Sequence, residues 1–360
     1  MSLPEPPQSK PPQPTVALPE PISAFLSAHG WGGAECLPLA GDASHRRYMR
    51  LRRRKEQGGD ENAVLMIAPP GLELVEPFVA IGQYLAGLGL SVPAILGVEA
   101  ANGLVLLEDL GDLDFVAAIN AGHDEAALYA AATDVLARVH HEQVPDTLPV
   151  GARTHTLPRY SNERMQREVD LVLEWYWPAV AGSPAPESVA AEWRAAWAQV
   201  FPFVWHDRPV LVQFDYHSPN LFWLPEREGV QRVGVIDFQD SLQAPAAYDV
   251  VSLLQDARRD VAAGLEPVLI ERYLAARPDV DPAAFRTAYA VLGAQRASRI
   301  LGVFVRLWQR DGKPGYLRHQ PRVWQLLLRN LEHPALAPVK AWFDAHMPAG
   351  WRAGHWQSAT

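Results

Sequence analysis

Cysteine is nearly missing from this chain of 360 residues: Cys36 stands alone. An internal disulfide is therefore excluded, and a reducing compartment is the natural expectation. Long hydrophobic runs are missing too. No apolar stretch approaches the roughly 20 residues that cross a bilayer, and no charged-then-apolar leader opens the sequence, so a cytoplasmic protein with no membrane partner is expected. Positive charge is also short. Lys and Arg total 32 against 41 Asp and Glu, a net charge of −9, which argues against a nucleic-acid surface. The dense basic run Arg50, Arg52, Arg53, Arg54 and Lys55 leads into Glu-Gln-Gly-Gly-Asp and reads as a solvated hairpin tip.

Proline, by contrast, is concentrated at the start. Pro4, Pro6, Pro7, Pro11, Pro12 and Pro14 make residues 1–19 read as an extended, Pro-rich tail with no packed structure. Beyond it, apolar content of 48% with 20% charged residues is that of an ordinary globular chain, and the length allows two lobes with cores of their own. Helical spacing of Ile22, Phe25 and Leu26 predicts a first helix. Strand-like segments flank a small-residue turn at Gly41, Asp42, Ala43 and Ser44, and further strands are predicted over 63–68, 92–98 and 103–110, with a helix over 76–88. Strands around one helix give a small, β-rich α+β lobe over 20–110, ending at Gly111.

From 111 to 360 the composition turns helical, predicting a larger, mainly helical lobe. Helices are predicted over 124–140 with Asp124 as cap, 161–177, 187–205, from Asp249, from Glu266, over 282–310 and over 321–331. Between them lie two segments of different character, Leu-Val-Gln-Phe-Asp-Tyr-His-Ser-Pro-Asn at 211–220 and Val-Gly-Val-Ile-Asp-Phe-Gln-Asp at 233–240. Asp215 and Asn220 sit five apart on a loop that Pro219 keeps from being helical, and Asp237 emerges at the end of a buried strand. Two carboxylates and a carboxamide at strand ends form an oxygen-rich pocket of the kind Mg²⁺ prefers. Singly, Asp215 is explained as a turn residue and Asp237 as a helix cap; the combination is what points to chemistry.

The ordered set of segments resembles the aminoglycoside-phosphotransferase family of kinase-like proteins, and within it the anomeric amino-sugar kinases. The residues behind the likeness are Leu-Ala-Gly-Asp-Ala-Ser-His-Arg-Arg-Tyr at 39–48, Leu-Glu-Asp-Leu at 107–110, the Asp215-to-Asn220 loop, Ile-Asp-Phe-Gln-Asp at 236–240, the Tyr248 segment to 261 and Arg-Asp-Gly-Lys-Pro-Gly-Tyr at 310–316. The likeness extends from about residue 21 to about 348. It implies a bilobal, protein-kinase-like α+β fold that uses ATP and Mg²⁺ to phosphorylate a small amino sugar, as a monomer. By the same likeness Asp215 is the base that accepts the acceptor's hydroxyl proton, and Asn220 and Asp237 are the Mg²⁺ ligands. Glu108, Asp109 and Leu110 present backbone groups to adenine. Gly41, Asp42, Ala43 and Ser44 cover the phosphates with Arg46 beside them, and Asp249 braces the catalytic loop.

Two departures stand out. Gln213 occupies a position where many relatives have histidine, an amide that can replace a hydrogen bond but not a charge. Residues 63–68 contain no lysine to pair with phosphates, so Arg46, Arg47 or Arg50 would have to substitute, or the protein would bind nucleotide without transferring phosphate. His217 either lines the pocket or packs on Phe214 or Tyr216. Asp256, Arg258, Arg259 and Asp260 either pair along one helix or reach the acceptor. Arg296, Arg299 and Arg306 lie at helical spacing and either pair with surface acids or bind a carboxylate.

Overall fold

A computed structural model describes residues 18–39, 45–55 and 58–352. The Pro-rich stretch before residue 18 and the turn at 41–44 lie outside the described residues. Two compact units are distinguished: one runs up to Glu76 and resumes over Pro93–Asp109, and the other comprises Pro77–Val92 and everything from Leu110 onward.

The first unit holds α1 (Glu20–Ala28) and strands β1 (Glu35–Leu39), β2 (Arg47–Arg54), β3 (Asp60–Ile67), β4 (Ile95–Glu99) and β5 (Leu104–Glu108). They form one antiparallel sheet in the order β1-β2-β3-β5-β4. Alternation along the strands sends Leu51, Ala63, Leu65, Ile67, Leu104 and Leu106 to one face, where Ile22, Phe25 and Leu26 of α1 cover them. Full burial of such a side chain contributes about 1.5–3 kcal/mol. Gly103 is required where it stands: its φ is +67°, and a Cβ there would fall 1.8 Å from the Ala68 carbonyl oxygen.

The basic run is not a hairpin tip. Arg50, Arg52, Arg53 and Arg54 belong to β2, in register with β3 from Arg47↔Ile67 to Arg54↔Asp60. Arg53 lies over the Trp31 ring at 4.2 Å and pairs with Glu61 at 2.6 Å. Cross-strand and ring partners explain cations that charge density alone would assign to solvent.

The second unit opens with α2 (Glu76–Gly87), which begins at the last residue of the first. It continues with α3 (Phe115–Asn120), α4 (Glu125–His141), α5 (Asn162–Leu171), α6 (Trp177–Ala181), α7 (Glu187–Val200), α8 (Ala247–Leu254), α9 (Leu265–Ala276), the long α10 (Pro282–Gln309), α11 (Gln320–Leu331), α12 (Ala337–His346) and α13 (Ala349–Arg352). Asp124 caps α4 by accepting the Ala126 N–H, and Ser161 caps α5 by accepting the Arg164 N–H. The helix expected over 161–177 contains a π-turn at Val172–Tyr176. Just before that turn α10 passes very close: a Cβ on Gly302 would meet the Leu171 carbonyl oxygen at 2.3 Å.

A hairpin, β6 (Thr147–Val150) with β7 (Arg153–Thr156), went unread in the sequence. Four short strands carry the polar motifs: β8 (Val210–Val212) pairs with β11 (Leu242–Ala244), and β9 (Leu221–Trp223) with β10 (Val233–Val235). Their side chains are almost all buried, so the loops between them spring from a fixed base. Gly234 of β10 has Leu110 Cδ1, Phe222 Cβ and Leu224 Cδ1 around it within 3.2 Å of where a Cβ would be; the strand fits there because it lacks a side chain. No helix among the described residues is long and apolar enough to cross a membrane.

Candidate active site

The loop after β8 is held by a carboxylate from α8. Asp249, fully buried, accepts the Gln213 N–H at 2.7 Å with one oxygen and the Phe214 N–H at 3.0 Å with the other. Phe214 takes a left-handed backbone, φ +73°, a conformation that costs a non-glycine residue of order 1 kcal/mol or more. Its ring stacks on Tyr248 at 4.8 Å and 6°, with the Arg299 guanidinium 4.6 Å above it, and Ser252 Oγ donates to its carbonyl. Asp215 follows immediately, so its direction is fixed by this bend.

Asn220 joins three parts of the site. Its Nδ2 donates to the Asp215 carbonyl at 2.9 Å and reaches Asp237 Oδ2 at 3.3 Å. Both bonds use the amide nitrogen, which leaves the amide oxygen to face a cation. Asp237 also has a left-handed backbone, φ +60°, tolerated better by Asp than by bulkier residues. Its Oδ1 accepts from Gln239 Nε2 at 2.8 Å. The Ile236 N–H donates to the Asn220 carbonyl at 3.0 Å, tying the two loops together. Among the described residues no group of three or more His, Cys, Asp or Glu is arranged to hold a metal. A cation here would therefore have the carboxamide oxygen and the Asp237 carboxylate as protein ligands, with the rest of its shell from water or phosphate, which suits Mg²⁺.

Beyond Asp215 the loop runs into a buried network. His217 is 7% exposed, and its Nε2 lies 3.5 Å from Arg258 Nη1. Phe214 stacks on Tyr248 rather than on this histidine. Burial pushes the His217 imidazole below its ordinary pKa; nearby Asp256 and Asp215 act the other way, and Arg258 and Arg296 reinforce the lowering. Ser218 Oγ donates to Asp256 Oδ2 at 3.2 Å and shares a hydrogen bond with Tyr129 Oη at 2.7 Å. The same burial pushes the Tyr129 hydroxyl up to about 12.

Of the two readings of Asp256 to Asp260, pairing along one helix does not hold. α8 ends at Leu254. Asp256 bends the following turn by accepting the Arg258 N–H at 2.8 Å. Arg259 pairs with Glu125 and Asp260 with Arg322, both on distant elements. Arg296 is likewise no surface residue: it is 5% exposed, and its Nη1 donates to the Gln255 carbonyl.

Two polar residues needed no prior assignment to matter. Gln239 lies in the Ile-Asp-Phe-Gln-Asp segment, and its amide orients Asp237. His140 on α4 lies four residues after Leu136, on the helix face that is buried. It is fully buried, with Nε2 3.7 Å from Asp249 Oδ2 and Nδ1 2.9 Å from Tyr273 Oη. Gln213 is buried and its side-chain amide has no hydrogen-bond partner among the described residues, so its backbone is what takes part in the loop.

In the first unit, Arg46 pairs with Glu73 at 2.9 Å. Arg50 grips Asp109 in a fork, Nε to Oδ2 at 2.6 Å and Nη2 to Oδ1 at 3.0 Å. Glu108 Oε2 accepts the Ala94 N–H. Arg47 is exposed on β2, and β3 (Asp60–Ile67) carries no lysine.

A profile of the phosphotransferase enzyme family matches residues 35–286. An N-acetylmuramate/N-acetylglucosamine kinase of Caulobacter vibrioides is 40% identical over 353 residues, covering 91% of this chain and 96% of that one. A protein of the same name from Pseudomonas aeruginosa is 33% identical, covering 85% and 87%. Among solved structures, a choline/ethanolamine kinase family protein of Mesorhizobium loti superposes with a TM-score of 0.57 at 16% identity, covering 89% of this chain and 99% of that one. The fold is thus the kinase-like one, a small antiparallel sheet followed by a mainly helical part.

Proposed function

Since the chain belongs to the phosphotransferase enzyme family, we propose that it is an ATP-dependent amino-sugar kinase acting on the anomeric hydroxyl of N-acetylmuramate or N-acetylglucosamine. The product is the sugar 1-phosphate, and the place of the reaction is the cytoplasmic recycling of cell-wall sugars. The observation that carries the reading is the Asn220 amide, bonded at once to the Asp215 carbonyl and to the Asp237 carboxylate. One side chain thereby sets a candidate base and a candidate metal ligand in a fixed relation. The names of the two relatives supply the acceptor.

In this reading Asp215 orients the anomeric hydroxyl and accepts its proton as the sugar oxygen bonds to the γ-phosphorus and the bond to the β-phosphate oxygen breaks, releasing ADP. Asn220 and Asp237 hold Mg²⁺, which when bound neutralises charge developing on the phosphate oxygens. Residues 41–44 and Arg46 take the phosphates, and the backbone at 108–110 takes adenine. Arg46, held by Glu73, and Arg47 are the cations available in place of a strand lysine; Arg50 is committed to Asp109. Asp249 and His140 position the loop and touch no substrate.

Incubation with ATP, Mg²⁺ and a panel of amino sugars, aminoglycosides and choline, followed by phosphorus NMR, tests this. An anomeric phosphate signal is expected with the amino sugars, and Asp215→Asn should lower turnover by roughly 10²–10⁴-fold with nucleotide binding retained. Phosphate on another acceptor would move the protein to a different branch of the family. Nucleotide binding without turnover of any acceptor would make it a non-catalytic binder, the outcome that the missing strand lysine favours.

A further inference from the structure

Three buried side chains behind the catalytic loop carry protons that the transfer chemistry does not use. Arg277, the residue that ends α9, is fully buried and forks onto Asp279, Nε to Oδ1 at 2.9 Å and Nη2 to Oδ2 at 2.7 Å. Its remaining nitrogen, Nη1, reaches Tyr273 Oη at 3.2 Å. Tyr273 Oη in turn lies 2.9 Å from His140 Nδ1 on α4, and Nε2 of that imidazole faces Asp249 Oδ2 at 3.7 Å. Asp249 is the carboxylate that accepts the Gln213 and Phe214 N–H groups. The chain of contacts therefore runs from the end of α9 to the bend that aims Asp215.

The direction of the protons follows from the donor types. A guanidinium only donates, so the Tyr273 oxygen accepts from Arg277. The hydroxyl has no hydrogen-bond partner among the described residues besides Arg277 and His140, so its own proton points at Nδ1. Otherwise a buried O–H would be left unmatched. The ring is held in this direction: it stacks on Phe285 at 5.1 Å and 25°, and meets the imidazole edge-on at 74°. With Nδ1 accepting, a neutral imidazole carries its proton on Nε2. Burial keeps the imidazole neutral by pushing its pKa below the ordinary value, against the pull of Asp249. The opposite tautomer would turn a lone pair toward the Asp249 carboxylate. At 3.7 Å the Nε2–H acts on Oδ2 as an aligned dipole rather than as a hydrogen bond, and with both groups fully buried little solvent screens it.

We propose that Arg277, Tyr273 and His140 form a one-way hydrogen-bond relay that locks the His140 proton on Nε2 and steadies the Asp249 carboxylate under the catalytic loop. Arg277 and Tyr273 are positioning residues that act through His140, and none of the three touches substrate. This rests on the reading of Asp215 as the base, since what the relay sets is the bend before it.

Two-bond proton–nitrogen NMR on protein isotopically labelled at its histidine ring nitrogens tests the relay, with His140 assigned by the signal lost in His140→Gln. The wild type should show His140 as the Nε2–H tautomer alone. Tyr273→Phe, which removes the hydroxyl and keeps the ring, should release that lock. It should also lower kcat by about 10–100-fold, the cost of a displaced loop, with KM for ATP and acceptor unchanged. His140→Gln, whose amide N–H replaces Nε2–H, should keep most of the kcat that His140→Leu loses. Adding Tyr273→Phe to His140→Leu should cost nothing more, because the tyrosine acts only through the imidazole. An Nδ1–H or mixed tautomer in the wild type, full kcat in Tyr273→Phe, or additive losses in the double variant would overturn the relay alone. The wild-type spectrum decides even where a variant fails to fold. Phosphate transferred to an acceptor other than an amino sugar would overturn the acceptor reading alone, because kcat on that acceptor carries the same comparisons. Nucleotide binding with no transfer would overturn the role of Asp215 and the relay with it.

Discussion

Asp249 accepts the backbone N–H of Phe214 at 3.0 Å, and with its other oxygen that of Gln213. Phe214 is one of two non-glycine residues with positive φ among the described residues, the other being Asp237. Each adjoins or is a candidate catalytic group. Strain of this kind persists only where surrounding contacts over-determine it, and at Phe214 the contacts can be named: the Asp249 carboxylate, the Tyr248 ring and the Ser252 hydroxyl.

Asp249→Ala should therefore leave two buried N–H groups without acceptors and cost about 2–5 kcal/mol of stability. Asp249→Asn keeps the shape but turns an amide donor toward an N–H donor; it should cost less and still lower kcat sharply. Urea unfolding of both variants measures this. A loss under about 1 kcal/mol for the alanine variant would mean that the bend at Phe214 stands without the carboxylate.

Gln239 donates to Asp237 Oδ1 at 2.8 Å and to Asp240 Oδ2 at 3.3 Å, so it fixes the carboxylate that would meet a metal. Removing such an orienting partner typically costs 10–100-fold in metal affinity. Gln239→Leu should raise the Mg²⁺ concentration needed for half-maximal nucleotide binding by about that factor, read by calorimetric titration without turnover. An unchanged Mg²⁺ requirement would remove Asp237 from the metal site or show that Asn220 alone orients it.

Gly302 lets α10 lie against the Leu171 carbonyl, where a Cβ would come within 2.3 Å of backbone oxygen. Backbone cannot give way as a flexible side chain can. Gly302→Ala should destabilise by about 1–3 kcal/mol, the usual cost of overpacking, against the small helix-propensity gain of alanine. A thermal midpoint equal to that of the wild type would mean that the π-turn at Val172–Tyr176 shifts at no cost.

The readable parts of the chain were those whose signals are local. Asp124 caps its helix as expected, because an oxygen beside a free N–H needs no distant partner, and the apolar face of α1 follows from spacing alone. Asp215, Asn220 and Asp237 were readable as a polar set at strand ends because the flanking residues are continuously apolar. Distant pairings were not readable. Arg50 looked like a solvated charge and is clamped by Asp109, 59 positions away. Arg296 looked like a surface helix residue and is buried by the turn after α8. The segment from Asp256 to Asp260 carries helix-compatible charge spacing, yet Asp256 bonds a backbone N–H two residues on and ends the helix tendency there. In each case a tertiary partner overrode a local preference.

Stability should be highest between about pH 7 and 9 and should fall on both sides, for opposite reasons. On the acid side, burial lowers the imidazoles of His140 and His217 from the ordinary 6.5, and those of His155, His206 and His319 as well. Below pH 6.5 the unfolded chain therefore binds more protons than the folded one, so stability drops as pH falls, by up to about 1.4 kcal/mol per pH unit for each imidazole still neutral in the fold. The carboxylates add to this lower down: Arg277 holds Asp279 at about 2, so its share is lost only below pH 4. On the alkaline side, burial raises Tyr129 and Tyr176 from 10 to about 12. Above pH 10 their unfolded forms lose protons that the fold retains, which again favours unfolding. Urea midpoints measured from pH 5 to 11 check the shape. His140→Gln should flatten the acid limb, because the amide cannot take up a proton; an acid limb of unchanged slope in that variant would show that His140 is already protonated beside Asp249 in the fold.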